Sequence, residues 1–209
     1  MQITFDKVLP EPIANDVDSE VWGRELAFDK GIKYLIYSPS GAGKSTFLNI
    51  IFGKRNDYSG TVSISGSSVS NWAPSKWSDS RTTDLSMVFQ GLRLFPELSG
   101  LENVMLNKEV VVSESELQRW FEQLGIAELS KKKAAHMSFG QRQRFAIARA
   151  LAQPFEFLLL DEPFSHLDEP SASAAWDLIC EICAARNAGV LLTALSDQWP
   201  GIDKKIRLQ

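Results

Sequence analysis

Residues 38–46 read Ser38-Pro39-Ser40-Gly41-Ala42-Gly43-Lys44-Ser45-Thr46, and the fold turns on what flanks that run. Before it lies a compact apolar stretch, residues 32–37. After it, residues 44–52 carry Phe47, Leu48, Ile50 and Ile51 and stop at Gly53, a helix C′ position. Strand, glycine-rich turn, helix is the setting in which such a run cradles phosphate. Gly41 and Gly43 let the backbone turn tightly, so that successive N–H groups aim at anionic oxygens. The helix starting near Lys44 directs the positive end of its dipole at the same point. Lys44 brings a point charge to the β- and γ-phosphates of a nucleoside triphosphate, and the Ser45 hydroxyl can ligate Mg2+. The pattern G-x-x-x-x-G-K-[ST] has glycine where this chain has Ser38. A serine fits there if its φ is negative, with consequences for how closely the loop packs on the strand.

Downstream, Phe157-Leu158-Leu159-Leu160-Asp161-Glu162-Pro163 is an apolar strand ending in two carboxylates. Ligands gather at the carboxyl ends of parallel strands. Asp161 is placed to face Mg2+ through a water. Glu162 is placed to polarise an attacking water as general base. Two acids at a strand end can also be helix caps; the phosphate loop upstream favours chemistry.

The remaining chain alternates strands and helices. Residues 3–9 read as a strand and 10–19, with two prolines, as a loop. Residues 58–65 read as an edge strand entered through Gly60, 72–83 as irregular, and 84–89 as a strand. Ser113-x-x-Glu116 is a capping box, followed by Leu117, Trp120, Phe121 and Leu124 at helical spacing and closed by Gly125. It belongs to a helical insertion over 91–136. Residues 141–151 read as a helix, 155–160 as a buried strand, and 169–187 as a long helix ended by Gly189. Residues 190–195 and 205–208 read as strands. Near-continuous apolar strands between helices imply a parallel sheet covered on both sides.

The chain has 209 residues, 44% hydrophobic and 10% aromatic, with a formal net charge of −4. That suits one α/β domain and gives no global basic footprint for nucleic acid. No run is long and apolar enough to span a bilayer, and residues 1–7 lack a signal-peptide core, so a cytoplasmic chain is expected. Cys180 and Cys183 have no partner pair for a zinc site and read as reduced helix cysteines. Lys131, Lys132 and Lys133 read as a solvated face.

Met137-Ser138-Phe139-Gly140-Gln141, followed by Arg142-Gln143-Arg144-Phe145-Ala146-Ile147-Ala148-Arg149-Ala150-Leu151, resembles the ABC ATPase signature L-S-G-G-Q and its helix. Val88-Phe89-Gln90 resembles the family's Q-loop. Phe164-Ser165-His166-Leu167-Asp168 resembles its D-loop, and Leu94-Phe95-Pro96 to Leu101-Glu102-Asn103-Val104 the stretch after the Q-loop. The resemblance spans nearly the whole chain. It implies an α/β P-loop NTPase fold, RecA-like, with an antiparallel β part within 1–90, further core at 137–209 and a helical subdomain at 91–136. It implies ATP and Mg2+ as ligands, with Gln90 touching Mg2+ or the attacking water. It also implies a head-to-tail homodimer or pseudo-dimer closing on ATP. In that dimer Ser138, Gly140 and Gln141 of one copy meet the nucleotide held by residues 38–46 of the other. A separate transmembrane permease is the implied partner, holding the chain at the inner face of the cytoplasmic membrane, with no nucleic acid involved. Arg142, Arg144 and Arg149 read as an exposed, salt-bridged helix face without catalysis.

Three departures matter. Met137 replaces leucine and Phe139 replaces glycine in the signature. The family's histidine after the strand at 190–195 is missing; Leu195 or Ser196 stands there, and His136 and His166 lie elsewhere. Losing that contact to the γ-phosphate implies slow hydrolysis, or hydrolysis that needs the partner. Phe5 and Trp22 are candidates to stack on adenine. Within the family the chain is similar to lipoprotein-release, macrolide-export and cell-division subunits. No regulatory domain follows Leu208, which points away from sugar and methionine importers. A hydrolysis-poor, ATP-gated module and a DNA-maintenance ATPase are the competing readings. A GTPase is disfavoured by the lack of an N-K-x-D motif.

Overall fold

The computed structural model describes residues 1–11, 18–107 and 109–208. Most of the loop expected at 10–19 lies outside them. Two sheets organise the chain. One is antiparallel, order β2-β1-β4-β5, built from β1 (Gln2–Pro10), β2 (Glu25–Asp29), β4 (Tyr58–Ile64) and the two-residue β5 (Ser67–Ser68). The other has the order β6-β7-β8-β3-β9, all pairs parallel. It contains β3 (Lys33–Tyr37), β6 (Leu85–Val88), β7 (Phe157–Asp161), β8 (Gly189–Ala194) and β9 (Lys204–Arg207).

The inner parallel strands are mostly apolar because side chains alternate between two cores, whereas the edge strand β9 carries Lys204, Lys205 and Arg207 and is partly exposed. Leu158 and Leu160 of β7 join Leu35 of β3 in a cluster with helices α4 (Glu114–Gln123), α5 (Phe139–Ala152) and α6 (Glu169–Ala185). Phe157 and Leu159 point the other way. They pack with Tyr34, Ile36, helix α1 (Lys44–Ile51) and the buried side chains of β1 and β4. The expected parallel sheet, phosphate-loop helix and antiparallel region are thus present. Within 91–136 the α-helices are α3 (Gly100–Val104) and α4, each opened by a Ser/Glu capping box, at Ser99/Glu102 and at Ser113/Glu116.

Several expectations need correction. Residues 72–83 are not irregular: Pro74–Thr83 forms helix α2, with Pro74 in its first turn. It has no apolar periodicity to read, and it docks chiefly through Trp77, whose ring occupies the space beside Gly53 and lies 4.8 Å from Trp72. The strand at 58–65 is no edge, since β4 lies between β1 and β5. Gly60 sits where a Cβ would fall 2.4 Å from Lys7 O, opposite the bulge in β1. Helix α6 is ended by Asn187, at φ 49°, and not by Gly189. Gly189 opens β8 instead, where a Cβ would fall 2.4 Å from the Phe157 ring. Arg142, Arg144 and Arg149 are half-buried, with no ion pair among the described residues. Arg144 donates to Leu124 O at 2.8 Å and Arg149 to Leu92 O and Arg93 O at 2.6 Å, which ties the helical insertion to α5. Phe5 and Trp22 are core residues packed on Phe47, so neither presents a face to adenine.

Candidate functional site

The parallel register sets the site. Val88 pairs with Leu160, Asp161 with Thr193 and Tyr37 with Ala194, so β6, β7, β8 and β3 end side by side. The segments leaving these strands therefore share one edge: Gln90 after β6, Glu162 after β7, Ser196 after β8 and the 38–46 loop after β3.

The loop is built as the sequence implies. Gly41 and Gly43 take φ 83° and 98°, conformations that suit glycine. Gly43 is the N-cap of α1 and no side chain caps that helix, which leaves its first N–H groups for an anion. Ser38 is buried, and its backbone is not in the left-handed region, so serine replaces glycine without backbone strain. Its Oγ has no hydrogen-bond partner among the described residues. The side chain of Lys44 is 4% exposed and donates to Ser38 O at 2.8 Å and Pro39 O at 2.9 Å. Its Nζ lies 3.2 Å from Glu162 Oε1. Ser45 Oγ donates to Asp161 Oδ1 at 3.1 Å. The Thr46 hydroxyl accepts from Arg55 Nη1 at 3.0 Å.

The loop and the acid pair are thus joined twice, lysine to glutamate and serine to aspartate. Burial pushes the Asp161 carboxyl above its usual range. Bonds from Ser45 and Thr193 oppose the shift, the neighbouring Glu162 charge adds to it, and Lys44 lowers it. Three oxygen donors with opposed charge nearby suit a hard cation shared with phosphate oxygens. Among the described residues no cluster of three or more His, Cys, Asp or Glu side chains forms a cage of its own.

Two features were not read from the sequence. Glu162 has φ 48°, a left-handed backbone that costs a non-glycine residue about 1–3 kcal/mol. Thr193 helps hold it there: its Oγ1 accepts the Glu162 N–H at 3.1 Å and lies 3.2 Å from Asp161 Oδ1 and from Leu160 O. The available signal was a lone hydroxyl inside the apolar run of β8.

The signature residues sit at the start of α5. Ser138 is exposed and is the N-cap; its Oγ accepts the Gln141 N–H at 3.2 Å, and Gln141 Oε1 accepts the Ser138 N–H at 3.0 Å. Gln141 is therefore engaged in capping. Met137 is buried, as a leucine substitute should be. The Phe139 ring lies 4.2 Å from the His166 imidazole, and a Cβ on Gly140 would meet His166 O at 3.0 Å. Gln90 is exposed beyond β6, on the strand edge beside β7, and has no side-chain hydrogen bond among the described residues. Ser196 and Leu195 are exposed after β8.

Likeness to known proteins agrees with this geometry. A model of the ABC transporter family matches residues 23–165. The lipoprotein-releasing system ATP-binding protein LolD of Legionella pneumophila (strain Lens) is 34% identical over 175 residues, 81% of this chain and 77% of the relative. The thiamine import ATP-binding protein ThiQ of Vibrio parahaemolyticus is also 34% identical, over 185 residues, 85% of this chain and 76% of the relative. A dimeric ATP-binding cassette in a post-hydrolysis state bound to ADP and Pi superposes with a TM-score of 0.75 at 26% identity, covering 94% of this chain and 88% of that one. These likenesses favour the transport reading over DNA maintenance. No helix among the described residues is long and apolar enough to cross a membrane. The chain belongs to the ABC transporter family, as an ATP-binding and ATP-hydrolysing component.

Proposed function

We propose that this chain is the motor of a transporter whose permease is a separate polypeptide, and that it works at the cytoplasmic face of the membrane by docking to that permease. The observation that carries the reading is the joining of Lys44 to Glu162 and of Ser45 to Asp161 at one edge of the parallel sheet. In this reading the N–H groups of 41–46 and the Lys44 charge hold the β- and γ-phosphates of ATP. Ser45 and Asp161 would hold Mg2+, with Gln90 reaching the same region from β6, and the ion would neutralise phosphate charge. Lys44 then gives up Glu162 Oε1 for phosphate oxygens, which frees Glu162 to take a proton from the attacking water.

The uncapped edge of one copy is completed by another. The exposed Ser138 hydroxyl and the Gly140 N–H, at the positive end of α5, suit a γ-phosphate presented by a second subunit. The dimeric state of the related cassette supports this arrangement. The 91–136 subdomain, tied to α5 through Arg144 and Arg149, is the part that contacts the permease.

Leu195 or Ser196, standing where the family pattern has histidine, favours a second reading: a module that dimerises on ATP but hydrolyses poorly. Phosphate release by the purified chain separates the two. Sustained release with Mg-ATP, lost in Glu162→Gln while ATP binding persists, is expected of the motor. Release unchanged by Glu162→Gln removes Glu162 from its role, and no release from the parent favours the gated module.

A further inference from the structure

The chain leaving β8 passes beside the turn at residues 162–165 before β9, and it is gripped at two points. At the near point Thr193 Oγ1 accepts the Glu162 N–H at 3.1 Å. At the far point the Trp199 indole lies flat on the Phe164 ring, centroids 4.6 Å apart and planes 6° from parallel. Trp176 of α6 stands edge-on to both rings at 6.1 Å and 87°, and donates its Nε1–H to Pro200 O at 3.0 Å. Both grips close on the same turn, Glu162-Pro163-Phe164, from its two ends. Between them Glu162, Leu195 and Ser196 border a hollow of about 210 Å³.

This arrangement answers a specific need. Glu162 has a left-handed backbone, which persists only where the surroundings over-determine it. Thr193 fixes the amide side of the turn. The stacked indole fixes the other side, two residues on. Leu195, 58% exposed, packs too little to help, and Ser196 is exposed beside it.

We propose that Trp199 is a positioning residue for ATP hydrolysis: by clamping Phe164 it holds the turn that aims the Glu162 carboxylate. The inference rests on Glu162 being the base. The clamp bears on that turn and on α6, whereas nucleotide is held by 38–46 and Lys44. Its loss therefore falls on turnover and not on binding.

The test compares Trp199→Ala, Trp199→Phe and Glu162→Gln with the parent in Mg-ATP turnover. Trp199→Ala lowers kcat about 10- to 100-fold, the scale of a displaced catalytic group. Its KM for ATP stays within about twofold. Trp199→Phe, which keeps a ring on Phe164, recovers most of the rate. Should Trp199→Ala fail to fold, Phe164→Leu removes the opposite ring and carries the same expectation. Parental kcat in Trp199→Ala overturns the proposal. So does a KM that rises in step with the lost kcat, or a Trp199→Phe no better than Trp199→Ala, since plain packing would give either. Glu162→Gln turning over like the parent sinks the reading of Glu162 and the clamp with it. An inactive Glu162→Gln beside an unimpaired Trp199→Ala sinks the clamp alone.

Discussion

Replacing Lys44 by alanine separates nucleotide binding from the stability of the loop itself. Lys44 Nζ is almost fully buried and makes three contacts, to Ser38 O, Pro39 O and Glu162 Oε1. In the nucleotide complex at least one becomes a charge-assisted bond to phosphate, worth about 1.5–3 kcal/mol. Removing it weakens ATP binding roughly 10- to 100-fold. At a free Mg-ATP concentration about 100 times the parental Kd, the parent gains about 2.7 kcal/mol. The variant then sits at only about 1–10 times its own Kd, and its gain falls to roughly 0.4–1.4 kcal/mol. For a domain of this size each kcal/mol moves Tm by about 2–4 °C, so a parental shift of about 5–11 °C drops to about 1–6 °C. Differential scanning fluorimetry with and without Mg-ATP reads this directly. Each protein is compared with its own nucleotide-free Tm, because losing the Lys44–Glu162 pair also alters the free state. A variant whose shift equals the parent's would refute the placement of Lys44 on phosphate.

Ser196→His restores an imidazole at the exposed end of β8 and should raise turnover roughly 10- to 100-fold, the worth of one charge-assisted contact made in the transition state; equal phosphate-release rates would show that the chain has no such deficit. Asp161→Asn tests the cost of the buried carboxylate. Its pKa is raised by burial in the folded state, so its contribution favours the fold below the ordinary carboxylate value and is lost as pH rises through the folded one. At pH 7 the nucleotide-free variant should therefore melt higher than the parent, with the advantage shrinking as pH falls toward 3.8, and its gain from Mg-ATP should be smaller; thermal scans from pH 4 to 8 check both. Gly100→Ala places a Cβ 2.4 Å from the Phe145 ring. It should destabilise by about 1–3 kcal/mol in urea titrations, leaving ATP affinity unchanged.

What could be read from the sequence tracked signal strength. The parallel strands were legible because both faces are buried, which makes β3, β7 and β8 predominantly apolar runs. The phosphate loop was legible because glycine, lysine and hydroxyl residues recur there at fixed spacing. Helix α2 was not, since tertiary contacts of Trp77 supply what periodicity does not. Strand β2 went unread because Glu25–Asp29 is short and only partly buried, and its pairing with β1 is set across the chain. Phe5 and Trp22 show the limit of reading aromatics: composition cannot tell a stacking face from a core face, and here Phe47 claims both. The lone hydroxyl of Thr193 marked β8 without giving its role, and the left-handed Glu162 left no trace, because both roles exist only once β7 and β8 are in register.

Phe139 shows how a departure from the family pattern can be absorbed. As a sequence change it adds a bulky ring where the signature has glycine. In the fold that ring turns onto His166, with the Arg142 guanidinium 5.5 Å from it on the same helix. Gly140 approaches His166 O so closely that a Cβ would fall at 3.0 Å, and Gln143 Nε2 lies 3.5 Å from Glu162 O. The start of α5 is thereby packed against the turn that leaves the acid pair of its own chain. In the proposed mechanism a shift of the Glu162 turn, such as Lys44 leaving Glu162 for phosphate, bears through these contacts on the helix end proposed to face a second copy. In the proposed dimer the base of one site and the helix terminus offered to the other would belong to one packed unit, which is a direct physical route between the two sites.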